Sequence, residues 1–72
     1  MKITYDAEVD AMSISLRATT VTTRDLGEGI TAEFDADGTL VGIEILNAAK
    51  RLGGTDPLRQ VVLEGVGLKV PA

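Results

Sequence analysis

The fold is decided by residues 30–45, which read ITAEFDADGTLVGIEI. Apolar residues alternate with other residues on both sides of the acidic turn DADG, and such alternation is typical of β-strands with one face in a core. The glycine that ends the turn supplies the positive φ that tight hairpin turns need. We therefore predict a β-hairpin. Pairing Ala32 with Val41 and Ile30 with Ile43 keeps the apolar side chains on one face, unless a bulge near the glycine shifts the register.

The same alternation appears upstream. Residues 2–5 and 12–17 alternate between apolar and polar side chains, and an acid-rich turn at residues 6–10 separates them. This arrangement predicts a first hairpin. Residues 18–24 are rich in Thr, whose β-branched side chain favours extended backbone, so we expect a short edge strand there.

Downstream of the second hairpin the pattern changes to short helical segments. Asn47 is a residue type that caps helix N-termini, and residues 48–52 tolerate a helix that Gly53-Gly54 would end. A second helix start lies at Asp56-Pro57, so we predict a short helix over residues 57–63 and an extended segment after it.

Together these elements predict a single α+β domain over residues 1–72. Its main part is a small antiparallel β-sheet of two hairpins, with about four to five strands. One or two short C-terminal helices complete the predicted fold.

Parts of the chain resemble a known family, the domain of unknown function 2283. The resemblance is carried by MKITYD at residues 1–6, DAMSI at residues 10–14 and, most distinctively, FDADGTLVGIEIL at residues 34–46. It covers residues 1–52, and residues 53–72 are not diagnostic. Where the family often has Asp-Ala-Ser-Lys, this chain departs at Asn47 and Ala49. The resemblance implies a small β-rich bacterial or archaeal domain and carries no established activity onto particular residues.

The composition narrows the function. The 72 residues include no Cys and no His, which removes disulfides, thiolate zinc sites and the usual catalytic base. The net charge is −4, and the run from Asp25 to Glu44 contains six acids and no base, which disfavours nucleic acid as a partner. No apolar run approaches the ~20 residues of a membrane span, and the N-terminus lacks an apolar signal segment. We therefore expect a cytoplasmic protein that has no cofactor. We also expect it to bind neither nucleic acid nor membrane.

Two acidic turns and one acid within a strand are the candidate sites. A divalent cation would use the carboxylates of Asp6 and Asp10 in the first turn, or those of Asp35 and Asp37 in the second. The second turn lacks the spaced ligands of a calcium loop, and a chain this short has little material for the pocket that paired carboxylates in the first turn would need. We therefore predict polar turns and no catalytic, cofactor or metal site. Glu44 lies between two Ile of the most apolar strand. It is either on a solvated face or, if that face is covered, a buried polar site that needs a cation or a donor.

These observations predict a non-enzymatic protein-interaction module. A chain this short, without disulfides, has a marginal core, and its apolar sheet face needs a cover. We expect the partner to be a second copy, in a homodimer. Two alternatives stay open: an antitoxin-like regulatory partner of a basic protein, which the acidic run suggests, and a carboxylate-based divalent-metal-binding protein or enzyme.

Overall fold

A computed structural model describes residues 1–65 of the chain. The strands are β1 (Lys2–Asp6), β2 (Ala11–Ser15), β3 (Thr22–Gly27), β4 (Ile30–Phe34) and β5 (Leu40–Leu46). They form one five-stranded antiparallel sheet in the order β1-β2-β5-β4-β3. A short helix, α1 (Ala48–Leu52), and a 3-10 helix (Asp56–Arg59) follow the sheet.

The antiparallel sheet and the first hairpin agree with the sequence prediction, because β1 pairs with β2 across the acidic turn. Strand β5 is central, since it pairs with both β2 and β4. The expected edge strand exists but is displaced from residues 18–24. It begins at Thr22 and runs to Gly27, next to a tight turn in which Glu28 and Gly29 both have positive φ.

The predicted register of the β4–β5 hairpin is wrong by two residues. Ala32 lies opposite Ile43 and Ile30 lies opposite Ile45, not opposite Val41 and Ile43 as expected. From Ile30 to Glu33 and from Gly42 to Ile45, a shift of two residues leaves every side chain on its predicted face, so the alternation of apolar residues does not reveal it.

The loop explains the shift. The N–H of Asp35 donates to the carbonyl of Thr39 at 2.9 Å, and the N–H of Gly38 donates to the carbonyl of Asp35 at 3.0 Å, so the loop is wider than a two-residue turn. A bulge next to Phe34 then leaves Val41 without a partner in β4.

The C-terminal part is less helical than expected. Helix α1 ends at Leu52 and is followed by Gly53, whose φ of 79° is the left-handed conformation that glycine adopts at helix ends. The helix predicted over residues 57–63 is wrong: the 3-10 helix stops at Arg59, and Gln60 is extended. A helix this short needs a packing surface, and the three apolar residues that follow Gln60 are exposed, so nothing holds them helical. Part of the predicted extended segment, residues 66–72, lies outside the described residues.

The buried core of residues 1–65 is small. Its buried apolar residues are Ala32, Val41 and Ala48, and no large side chain is fully buried. The sheet therefore has an apolar face that residues 1–65 cover only in part.

Candidate interaction surface

One face of the sheet is apolar. Residues directly opposite each other in paired strands share a face, so the pairing of the strands defines it. We call this surface the apolar face; its residues are Ile3, Tyr5, Met12, Ile14, Ile30, Ala32, Phe34, Ile43 and Ile45. It extends across four of the five strands. On the fifth, β3, Arg24 lies on the same side, with its guanidinium 5.8 Å from the centre of the Phe34 ring.

Helix α1 covers one end of the apolar face. Ala48 is completely buried there, and α1 packs against β2. A groove of about 170 Å³ remains between the helix and the sheet, and its lining is Met12, Ile30, Ile45, Ala48, Arg51 and Leu52. The other large side chains of the face stay partly exposed, and Ile3 on the edge strand is 43% exposed.

The opposite face of the sheet is polar. We call it the polar face; its residues include Lys2, Thr4, Ser13, Ser15, Asp25, Thr31, Glu33 and Glu44. Glu44 is exposed and has Ser13 and Thr31 as its cross-strand neighbours. In the single chain Glu44 is thus on a solvated face and is not a buried polar site.

Asp10 fixes the helix to the sheet. Its side chain accepts hydrogen bonds from the N–H groups of Ala49 at 2.7 Å and Lys50 at 3.4 Å, and its carbonyl accepts one from the N–H of Ala48 at 2.9 Å. The hydroxyl of Tyr5 donates to the same carboxylate at 2.8 Å. A residue almost forty positions upstream therefore performs the capping that α1 requires.

Asn47 lies at the predicted N-cap position of α1, but the prediction that its side chain caps the helix is wrong. Asn47 is the residue before the helix, but its side chain makes no capping hydrogen bond. Its φ of 55° places it in the left-handed region, which Asn tolerates better than most residues. Asn47 thus turns the chain from β5 into α1, and Asp10 supplies the acceptor.

These hydrogen bonds change the pKa values of both side chains. The N–H of Ala49, followed by the hydroxyl of Tyr5, lowers the pKa of Asp10, because both stabilise the carboxylate. The hydrogen bond to Asp10 raises the pKa of Tyr5, since the phenol must stay protonated to donate.

Asp35 organises the loop between β4 and β5. It is 7% exposed, and its Oδ1 accepts hydrogen bonds from the N–H groups of Asp37 and Thr39, each at 2.9 Å. Arg17 forms an ion pair with Oδ2. The N–H of Thr39, the N–H of Asp37 and the Arg17 guanidinium together hold the pKa of Asp35 below its ordinary value, against the effect of burial.

The remaining acidic candidates have local roles or remain apart. Asp6 accepts a hydrogen bond from the N–H of Glu8 at 3.0 Å, as in a polar turn. Within residues 1–65 the structure brings no three acidic side chains together in a way that would hold a metal ion. The carboxylates of Asp10 and Asp35 are instead engaged by backbone donors of their own chain.

Sequence reasoning missed three of these residues. Tyr5, Arg17 and the capping role of Asp10 depend on contacts between distant segments, which alternation and turn preferences do not encode. One signal was present for Asp10. A helix N-terminus favours a nearby acid, but the first turn of α1 contains none, and Asp10 is an acid at the end of a turn elsewhere in the sequence.

No helix among the described residues is long and apolar enough to cross a membrane. No curated protein and no solved structure matches the sequence. A family described as "Protein of unknown function (DUF2283)" matches residues 2–48. That match spans β1 to the first residue of α1, including the apolar face and Asp10. Since it extends over more than half of the sequence, the chain belongs to the DUF2283 family.

Proposed function

We propose that the chain is a non-enzymatic protein-interaction module that works as a homodimer, with a second copy lying against the apolar face. The observation that carries this proposal is that no large side chain of residues 1–65 is fully buried, although one face of the sheet is almost entirely apolar. Burying such a surface is the main favourable term in protein association.

The size of the apolar face supports an interface. The four strands that form it lie about 4.8 Å apart, with about five residues each at ~3.3 Å, and make a face of roughly 19 by 17 Å, or ~320 Å² in projection. The largest apolar patch on a soluble protein is typically about 300–600 Å² and is often functional.

The distribution of charge supports a second copy as the occupant. Arg24 is the single ionic residue that the strand pairing places on this face, and it lies against the Phe34 ring. The strand acids Asp25, Glu33 and Glu44 are on the polar face instead. Two copies packed through their apolar faces would therefore keep most of their negative charge apart, despite a net charge of −4 on each.

The chemistry of the acidic groups supports a non-enzymatic role. The two carboxylates with lowered pKa values, Asp10 and Asp35, each bind backbone N–H groups that fix a helix or a loop. A catalytic acid or base needs a pKa moved toward neutrality, and both shifts go the other way.

Sedimentation velocity of the intact chain across the micromolar range tests the homodimer. We expect a species of at least twice the 7.5 kDa chain mass, and a melting temperature that rises with protein concentration because association stabilises the folded state. A monomer at every concentration, with a constant melting temperature, would refute the proposal.

A second candidate, a regulatory partner of a basic protein, is favoured by the polar face. Its acids come from β3, β4 and β5 and lie on the side that a face-to-face dimer leaves free. A basic protein retained at low salt by the wild-type chain, and lost when Glu33 and Glu44 are both changed to Gln, would support this role. Equal retention by the wild type and the variant would exclude the polar face as the docking surface.

A further inference from the structure

Among the residues that the structure describes, strand β1 is an open edge of the sheet. It is the outermost strand of the sheet, so half of its backbone N–H and C=O groups have no strand neighbour among the described residues. The pairing of β1 with β2 is regular over all five residues and contains no bulge. Lys2, Ile3, Thr4 and Asp6 are all exposed. A flat, regular edge of this kind is a template for a further strand.

The other edge of the sheet is protected. Strand β3 carries a bulge between Asp25 and Gly27, which disrupts the regular ladder. Its middle residues are Arg24 and Asp25. Self-pairing that keeps both apolar faces on the same side must be centred on a residue, and centring it on either of these two would place a charge opposite its own copy. Like charges in that position are destabilising. The two edges therefore differ in their capacity to pair with themselves.

We propose that β1 pairs with β1 of a second copy, antiparallel about a two-fold axis at Thr4, and joins two sheets into one of ten strands. The sequence of β1, KITYD, is complementary to itself in this register. Lys2 lies opposite Asp6 of the second copy, Ile3 lies opposite Tyr5, and Thr4 lies opposite Thr4. Opposite charges, an aromatic with a β-branched residue, and two threonines are all favourable cross-strand pairs.

The contacts within one chain support this register. In the β1–β2 ladder Lys2 lies opposite Ser15 and Asp6 lies opposite Ala11, so neither charge faces an opposite charge in its own sheet. The described residues contain no ion pair of either side chain. The two charges lie at the two ends of the strand, which is the spacing that the two-fold register requires.

This association is distinct from the packing of apolar faces and does not depend on it. A two-fold axis perpendicular to the sheet keeps the apolar faces of both copies on the same side. In this register even-numbered residues lie opposite even-numbered residues and odd-numbered opposite odd-numbered, and alternate residues of a strand share a face. If both associations form, two ten-stranded sheets pack face to face and the assembly contains four copies with dihedral symmetry, a common arrangement of soluble oligomers.

Charge reversal at the two ends of β1 tests the proposal with matched variants. K2D gives a strand that carries two acids, D6K gives a strand that carries two bases, and K2D/D6K exchanges the charges. Each single variant should repel itself, whereas the double variant and an equimolar mixture of K2D with D6K should be complementary. Sedimentation velocity at low salt gives the mass of each sample, and circular dichroism checks that each variant is folded.

We expect K2D alone and D6K alone to raise the dissociation constant of the edge about tenfold, so that their mean mass falls below that of the wild type at protein concentrations between the two dissociation constants. The double variant and the mixture should regain the wild-type mass. The difference should shrink at about 1 M salt, where the screening length is about 3 Å.

Two results would overturn the proposal. One is an unchanged mass in both single variants. The other is a loss of mass in the single variants that neither K2D/D6K nor the mixture of K2D with D6K restores. In the proposed register position 2 of one copy lies opposite position 6 of the other, so both of these samples have complementary charges. Loss of the Asp6–Glu8 turn hydrogen bond does not explain a positive result, since D6K and K2D/D6K both lack it. Lys2 and Asp6 are on the polar face. The charge variants therefore test the pairing of β1 with β1 whether or not the apolar faces pack.

Discussion

Replacement of Ile43 by lysine should separate two copies that pack through the apolar face. Ile43 lies on the central strand, opposite Ile14 on one side and Ala32 on the other. Two strands separate it from each edge of the sheet, a distance of about 10 Å. An ammonium group introduced here does not reach solvent around the rim once a second copy covers the face.

The cost follows from the symmetry of the dimer. A buried polar group without a partner costs about 1–3 kcal/mol, and more when it is charged. In a two-fold dimer the substitution occurs twice, so dissociation is favoured by at least ~2 kcal/mol, which raises the dissociation constant ~30-fold or more.

Glu44→Lys provides the matched control, because it introduces the same side chain one residue away on the exposed polar face. Sedimentation equilibrium should give a raised dissociation constant for Ile43→Lys and an unchanged one for Glu44→Lys. Circular dichroism of the Ile43→Lys monomer checks that its sheet persists. Equal dissociation constants for the two folded variants would refute the assignment of the apolar face as the interface.

Three further predictions concern the contacts that hold α1 and the long loop. The pKa values of Asp10 and Asp35 are lower in the folded than in the unfolded protein. The stability that the two carboxylates contribute is therefore fully present above their unfolded-state pKa, and it is lost as the pH falls from that pKa to the folded-state pKa. Thermal melts from pH 7 to pH 2 should show this loss, and Asp10→Asn together with Asp35→Asn should flatten the curve below about pH 4. Tyr5 should titrate above its ordinary pKa of 10.0 in an ultraviolet titration, and Asp10→Asn should bring it back; an ordinary pKa in the wild type would contradict the hydrogen bond. Asn47→Ala should destabilise the fold by about 1 kcal/mol, because its backbone is left-handed, and Asn47→Gly should not. Equal denaturant midpoints for these two variants would contradict the left-handed conformation.

The strands of the two predicted hairpins and the faces of these strands were predictable from local sequence, whereas β3 lies at residues 22–27 and not at 18–24. Alternation of apolar and polar residues identifies which side chains share a face, and the resulting apolar face is the one in the structure. The acidic turns were also predictable, since Asp6 and Asp35 both accept hydrogen bonds from nearby backbone N–H groups. These features depend on residues within a few positions of each other.

The register, the cap and the C-terminal segment were not predictable in this way. Pairing Ala32 with Val41 or with Ile43 gives the same pattern of faces, so the choice rested on the Asp35 loop and its bulge. The prediction that Asn47 would cap α1 used a local preference, whereas Asp10 reaches the helix only when the first turn and the end of β5 lie side by side. The helix expected after Pro57 had suitable residues but no surface to pack against.

The amino-acid sequence thus determines a sheet with one apolar and one polar face, because successive side chains of a strand point to opposite faces. A register shift of two residues does not change this alternation. Which residues face each other, and which carboxylate holds the helix, depended on contacts between segments up to forty positions apart. Such contacts are selected by the combined geometry of loops and strands, and no local pattern contains that geometry.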